Sequence, residues 1–321
     1  TDIIGYNKYY GWYQGKAEDF APWIDEFHSL NPQRALGISE YGAEGIIEYH
    51  NNDPKVKDYS EEYHALYHEK VWKIFEDRPF LWATYVWNMF DFGANIRNEG
   101  GVRGRNNKGL VTYDRKIRKD AFYMYKAHWS KEKFIHITSK RYIERIEDKI
   151  DIKDYSNCNN LTLILNDKEI ETVNGRGIFI FSDISLNEGI NKIEVIDKKL
   201  DLKDFALFSK VKELNTSYEA PEGEKGGVVS NWFQMPDLEE VTIEELDLCG
   251  DVYSTSCSFK DIMQNEEAKN VLIKYLGDFT SNPMYSMMEG MKINMVASMA
   301  EDMFTEKVMY ILNKELSKIK K

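Results

Sequence analysis

The sequence is short of positive charge, of long apolar runs and of cysteine, and each shortage closes off a class of function. Its 42 Lys and Arg stand against 54 Asp and Glu, a formal net charge of -12 at pH 7 with a pI near 5.2. A nucleic-acid or anionic-membrane partner would call for a basic stripe, so neither is expected, and the acidic balance mainly reports solubility. No apolar run approaches the ~20 residues that span a bilayer. No signal peptide is visible, so a cytoplasmic location is expected, with a leader upstream left open. The chain starts at Thr1 rather than methionine and enters a strand pattern almost at once, which reads as a fragment or processed product. Cys158, Cys249 and Cys257 are an odd count without metal-ligand spacing. Free thiols are expected, with a Cys249–Cys257 loop as the alternative, and neither a metal nor a cofactor is called for. With 321 residues there is room for two or three domains.

What is present centres on Ala35-Leu-Gly-Ile-Ser-Glu-Tyr-Gly42. Leu36 and Ile38 fit a strand buried against helices, where a polar residue inside the run is penalised. Glu40 then stands at the strand's C-terminal mouth, and Gly42 lets the chain turn away. In a β/α barrel that end carries the catalytic groups, so Glu40 is a candidate for chemistry; a carboxylate that merely faces water is the alternative. Upstream, Asp2-Ile-Ile-Gly-Tyr-Asn-Lys-Tyr-Tyr-Gly-Trp-Tyr13 reads as a strand running into an aromatic, glycine-broken loop. Ring faces and phenol hydroxyls gathered there suit the apolar faces and hydroxyls of a sugar, an ordinary aromatic core being the other reading. Between the two strands, Phe20, Trp23, Ile24, Phe27 and Leu30 recur at helical spacing until Asn31-Pro32.

After a polar loop through Asn51-Asn-Asp-Pro54, Ser60-Glu-Glu opens a helix with Tyr63, Leu66, Tyr67, Val71, Ile74 and Phe75 on one face. Phe80 to Trp87 predicts a third strand, with Asn88-Met-Phe-Asp-Phe-Gly93 as its outlet. Strand, helix, strand, helix, strand gives a parallel sheet. Each outlet carries candidate groups: Tyr9 and Tyr13, then Glu40, then Trp87 and Asp91. Arg103-Gly-Arg-Asn-Asn-Lys-Gly109 reads as a basic, glycine-bracketed loop, able to pair with a substrate carboxylate or else simply solvated. Lys119 to Trp129 is a further helix.

The motifs GYNKYYGWY, ISEYGAE, VWNMFDFG and GRNNKGLVTYDRK, in this order, resemble the C-terminal half of the catalytic barrel of glycoside hydrolase family 2, which includes retaining β-galactosidases and β-glucuronidases. The resemblance covers roughly residues 1 to 130. It implies that the three strands are the sixth to eighth of a (β/α)8 TIM barrel and that Glu40 is the nucleophile. It further implies that Tyr9 hydrogen-bonds the nucleophile, that Trp87 lines the sugar subsite, and that Asn7 and Tyr13 line the same pocket. A retaining enzyme attacks the anomeric carbon with one carboxylate and protonates the leaving oxygen with another about 5 Å away. The family's acid/base glutamate lies in an Asn-Glu pair at the end of the fourth strand. Here Asn98-Glu99, Asn187-Glu188 and Asn265-Glu266 all follow the third predicted strand and cannot stand in for it. The expectation is a chain that is inactive alone and that pairs with a missing N-terminal part of the same enzyme or self-associates through exposed strand edges. Asn106 and Lys108 match the Asn-x-Lys-Gly with which glucuronidases hold the substrate carboxylate. The surrounding text through Phe134-Ile-His-Ile-Thr-Ser-Lys-Arg-Tyr142 is more similar to β-galactosidases of the clostridial and Bacteroides type. A β-galactoside is therefore the expected substrate, with a β-glucuronide as the alternative; from another class, a structural and interaction module that only carries a barrel remnant stands beside both.

From about Phe134 short strands take over: Leu161, Leu163 and Leu165 alternate, Asn166-Asp-Lys turns, and Ile178 to Phe181 and Ile190, Ile193 and Val195 follow. This predicts an antiparallel β-sandwich, similar to the immunoglobulin-like modules appended to family 2 barrels, with a packing rather than sugar-binding role. A Gly, Pro and charge-rich break at Glu219 to Gly227 is the linker candidate. Asp237 to Asp247 reads as solvated acidic surface, and the remainder as helices opening at Asn265, Asn282-Pro283 and Thr305. Met287, Met288, Met291, Met295, Met299 and Met303 fit a small helical core or an adaptable contact surface. The expected domains are thus 1–132, the end of a barrel; 133–218, an Ig-like sandwich; 219–232, a linker; and 233–321, a small α-helical domain.

Overall fold

The structure is a computed structural model that describes residues 2–221, 241–248, 251–276, 285–298 and 304–321. They fall into two compact units, Thr1–Gly227 and Val228–Lys321.

The first unit begins with the expected alternation. Strands β1 (Ile3–Asn7), β2 (Ala35–Tyr41) and β3 (Thr84–Val86) form a parallel sheet in the order β1-β2-β3. Helix α1 (Phe20–Leu30) connects the first two and buries Phe20 and Ile24; α2 (Glu61–Glu76) connects the second and third. Ser60 caps α2 by accepting from the Tyr63 N–H at 3.0 Å, and Tyr63, Tyr67, Val71 and Phe75 turn inward at helical spacing. The regular part of β3 is shorter than Phe80 to Trp87. Trp82 N donates to Leu36 O and Ile38 N to Ala83 O, and Trp87 N donates to Tyr41 O, but a register shift between Ile38 and Tyr41 breaks the ladder.

The segment expected as an open basic loop is mostly a hairpin. β4 (Phe92–Glu99) and β5 (Val102–Asn106) pair antiparallel, and Gly100 and Gly101, both at positive φ, make the turn. Only Asn107 to Gly109 of that segment remains loop. Helix α3 (Asp120–Trp129) follows and packs on α2.

Eight strands then build two sheets: β6 (Ile135–Ile137), β7 (Glu144–Arg145), β8 (Lys149–Ser156), β9 (Asn160–Leu165), β10 (Lys168–Asn174), β11 (Gly177–Ser185), β12 (Gly189–Asp197) and β13 (Leu202–Lys210). One sheet runs β10-β9-β12-β13-β7 and the other β11-β8-β6, antiparallel apart from the β13–β7 pair. Alternate residues face inward, so Leu161, Leu163, Ile193, Val195 and Phe208 meet Ile150, Ile152, Phe179 and Phe181 in a single apolar core.

These sheets are locked to the helices by buried charge. Glu61, fully buried at the start of α2, accepts from Arg141 Nε at 2.6 Å and from the Asp120 N–H at 2.9 Å, and Arg141 Nη2 also bonds it. Asp120 in turn accepts from the Ser139 N–H at 2.6 Å and bonds His136 Nε2 at 2.9 Å. Burial, then the neighbouring Asp120, pushes the Glu61 carboxyl up to about 7 against the pull of Arg141.

In the second unit, α4 (Phe259–Met263), α5 (Glu266–Leu276), α6 (Tyr285–Met288), α7 (Ile293–Ala297) and α8 (Glu306–Leu316) surround a core of Ile262, Leu272, Ile293, Leu312 and Leu316. Asn265 and Thr305 cap α5 and α8 through the Ala268 and Val308 N–H groups. Met288 and Met291 pack against this core while Met295 is exposed. Met299, Met303, the Met287 side chain, Asn282-Pro283, Cys249 and most of the 219–232 segment lie outside the described residues. Cys158 and Cys257 are buried free thiols. Among the described residues no helix is long and apolar enough to cross a membrane.

Two stability predictions follow from the packing of the first unit. Arg141→Met strips a partner from two buried carboxylates and should lower unfolding free energy by about 3 kcal/mol in urea melts. His68, buried on α2 and sharing a 2.9 Å hydrogen bond with the Tyr125 hydroxyl, is pushed down to about 3 by burial first and then by the charge of Lys119. An unfolded chain takes up this proton below about pH 6.5 while the folded one does not, so the stability His68 permits is lost as pH falls from there. His68→Gln, which can still bond Tyr125 but cannot titrate, should gain on the wild type between pH 7.5 and pH 5; an unchanged difference in melting temperature would refute the assignment.

Candidate active site

Parallel pairing of β1 with β2 puts Asn7 opposite Glu40, and the Lys8 N–H donates to Glu40 O at 2.9 Å. The aromatic loop that follows β1 is therefore held against the mouth of β2. From it the Tyr9 hydroxyl donates to Glu40 Oε2 at 2.7 Å. Burial first, then the hydrogen bond and charge of Glu40, raise the Tyr9 phenol, so it remains a protonated donor. Its ring packs edge-to-face on Tyr13 with centroids 5.0 Å apart. Asn7 is exposed at the same strand end, its Oδ1 accepting from Ser39 Oγ at 2.8 Å.

The end of β2 is gripped from behind. The Gly42 N–H donates to the Tyr67 hydroxyl at 3.1 Å, and a Cβ on Gly42 would stand 2.0 Å from Trp87 O, so only glycine admits this approach. Trp87 is half-buried beside it, its ring edge-to-face with Phe92 at 5.9 Å, and a cis peptide joins it to Asn88.

A second group was not picked out from the sequence. Glu44, fully buried four residues after Glu40, accepts from Lys108 Nζ at 2.6 Å and Arg97 Nη2 at 2.8 Å, and from the Asn107 N–H at 2.6 Å. Both cations also donate to the Tyr13 hydroxyl, Lys108 at 2.8 Å and Arg97 at 3.3 Å. Arg97 reaches Glu99 at 2.6 Å as well. Burial alone would raise the Glu44 carboxyl, but Lys108 and Arg97 outweigh it and hold it below the ordinary range. Glu99 is pushed up to about 7, by burial first and then by Glu44, against the two cations. The signal available in the sequence was a lone carboxylate inside Gly42-Ala-Glu-Gly45, a stretch otherwise made of small residues.

This geometry places the predicted residues in three groups. Tyr9, Glu40 and Tyr13 come together, with Asn7 and Trp87 at the ends of the flanking strands. Lys108 is a buried ion-pair member rather than a cation on a loop, and Asn106 serves it by accepting the Lys108 N–H at 3.0 Å. Asp91, expected to bind substrate, is buried and held elsewhere: it accepts from Lys119 Nζ at 2.8 Å and the Gly109 N–H at 2.9 Å. Lys119 also donates to Gly45 O and Asn107 O, so this third group fastens the loops from beneath. Among the described residues no set of three His, Cys, Asp or Glu side chains is placed to hold a metal ion.

No family profile matches the chain. Individual proteins do. A β-glucuronidase of Bacteroides fragilis is 39% identical over 204 residues, 61% of this chain and 29% of that protein. Among solved structures, an FMN-binding β-glucuronidase from Faecalibacterium prausnitzii L2-6 is 50% identical with a TM-score of 0.66, covering 68% of this chain and 34% of its own. A candidate β-galactosidase from Bacteroides fragilis is 32% identical with a TM-score of 0.63, covering 67% and 33%. The chain thus spans about a third or less of the length of the relatives it matches, and what it is similar to is part of a β-glycosidase.

Proposed function

We propose that this chain carries the nucleophile side of a retaining β-glycosidase active centre, formed by the last strands of a (β/α)8 barrel, with Glu40 as the nucleophile. The observation that carries this reading is the 2.7 Å hydrogen bond from Tyr9 to Glu40 at the C-terminal mouth of adjacent parallel strands. One Glu40 oxygen is held and its charge stabilised while the other attacks the anomeric carbon; the glycosyl–oxygen bond breaks, a second carboxylic acid protonates the leaving oxygen, and water then releases the sugar with retention. On this reading that acid is supplied by residues outside this chain. The sheet supports the partial barrel: Ile3 and Tyr85 are each 54% exposed and Trp82 45%, apolar surface that further strands would cover.

For the sugar, a β-glucuronide is the first reading. Lys108 and Arg97 stand at the Tyr13 hydroxyl, where a uronate carboxylate could share their charge with Glu44, and β-glucuronidases are prominent among the relatives. The β-galactoside reading rests on the 32% identical structure and on Lys108 already being paired.

The intact enzyme incubated with a 2-deoxy-2-fluoro glycoside should yield a covalent adduct mapped to Glu40; an adduct on another carboxylate would overturn the assignment. Tyr9→Phe should lower kcat/KM about 10- to 100-fold, the worth of one hydrogen bond to a charged group. The 321-residue chain alone should show no turnover of a chromogenic glycoside. Lys108→Ala should reduce the ratio of kcat/KM on the glucuronide to that on the galactoside by about tenfold or more, a ratio that loss of folded protein does not alter.

A further inference from the structure

A cavity of about 330 Å³ lies between the 45–48 loop, the end of β5 and the 112–117 turn, and Glu40, Tyr9, Tyr13 and Trp87 take no part in it. Its volume is within the range of small-molecule sites. Its charged lining is Arg105 and Lys119 against Glu48, Asp91 and Asp114, three carboxylates to two cations, so the site as a whole does not favour an anion. Three of the five are engaged. Lys119 is paired with Asp91 at 2.8 Å. Asp114 accepts from Thr112 Oγ1 at 2.6 Å and from the Lys116 N–H at 3.1 Å, with Lys116 Nζ 3.6 Å away. Arg105 and Glu48 remain. Arg105 Nε donates to Asn107 Oδ1 at 2.6 Å, and Asn107 is itself fixed, its N–H donating to Glu44 and its O accepting from Lys119. The guanidinium is thereby oriented, yet among the described residues no hydrogen bond or ion pair reaches its terminal nitrogens or the Glu48 carboxylate. The two line one cavity without pairing with each other.

Ile46 and Ile117 supply apolar wall, and Tyr113 joins the lining, 53% exposed and packed on no other ring among the described residues. A donor fork and a carboxylate in one small cavity, with a bare ring beside them, suit a neutral ligand that both donates and accepts and that has an apolar face. A pyranose has all of these. We propose that this cavity is a second sugar site: Arg105 donates to hydroxyl oxygens, Glu48 accepts from hydroxyls, and the Tyr113 ring stacks on the apolar face of the sugar. The site holds a neutral pyranose and does not turn it over. The inference does not rest on Glu40 being a nucleophile.

Saturation-transfer NMR titration of the 321-residue chain with methyl α-D-glucopyranoside and methyl α-D-galactopyranoside tests this; the α-linkage keeps both from being turned over by a β-glycosidase centre. Glycine, a zwitterion that would also bridge Arg105 and Glu48, is the control. Saturable transfer to at least one glycoside is expected, undiminished by glycine. Arg105→Gln should weaken that binding about tenfold or more, as for lost charge-assisted hydrogen bonds. Tyr113→Ala should weaken it about 3- to 10-fold, the worth of a ring contact. Both variants are compared with the wild type by thermal unfolding, and if Arg105→Gln fails to fold, Tyr113→Ala, at an exposed position, decides. The proposal is overturned if neither glycoside binds the folded wild type, if glycine displaces the sugar, or if Tyr113→Ala binds with wild-type affinity.

Discussion

One buried carboxylate sets the terms for the candidate site. An ionised group taken out of water must be paired and hydrogen-bonded, or it neutralises or unfolds its surroundings. Glu44 meets that demand with Lys108, Arg97 and the Asn107 N–H, all supplied by the hairpin β4–β5 or the loop just after it. The two cations also donate to the Tyr13 hydroxyl, which belongs to the loop after β1. Three loops with no sequence proximity are thereby fixed by one charge. Because Tyr13 packs on Tyr9, and Tyr9 bonds Glu40, the position of the proposed nucleophile's donor is inherited from the neutralisation of Glu44.

The charge of the same cluster depends on pH. Lys108 and Arg97 face Glu44 and Glu99, and Glu99 stands near 7 while Glu44 stays ionised. With Glu99 protonated the four groups sum to one positive charge, and with it ionised to zero. An anionic sugar arriving beside Tyr13 would meet an attractive field on the acid side of neutrality and a balanced one on the other, whereas a neutral galactoside would be indifferent. The proposed substrates thus differ in how far this cluster matters to them, not only in whether Lys108 touches them.

How much of this could be read from residues alone depended on how local each cause was. The helix α2 was legible because Ser60 and the inward face from Tyr63 to Phe75 are neighbours in sequence. That Tyr9 and Glu40 share one end of the sheet was legible because parallel strands joined by a helix bring their outlets together, while their hydrogen bond was implied only by the family resemblance. The hairpin β4–β5 was not: arginines and glycines from Arg97 to Gly109 look solvated, and only the Gly100-Gly101 turn marks the reversal. Glu44 was missed, and the burial and ion pairing of Asp91 and Lys108 went unseen, for a shared reason. A charged residue in a glycine-rich turn reads as exposed unless its counter-charge is nearby, and the partners of Glu44 lie 53 and 64 residues downstream.

On the proposed reading, the exposed apolar side of the three-stranded sheet bears on where a second carboxylate would be. A parallel sheet is covered on both faces and, in a barrel, paired at both edges. In the order β1-β2-β3, Glu40 is the last residue but one of the central strand, with Tyr9 bonded to it from the loop after β1 and Trp87 just past the end of β3. On the proposed reading, a second carboxylate about 5 Å away, with the sugar between the two, would come from outside these three strands. The exposed apolar residues at Ile3, Trp82 and Tyr85 are where further strands would seat. On the proposed reading, the same added strands would cover the bare face of the sheet and deliver the proton donor, so stability and catalysis would be completed together.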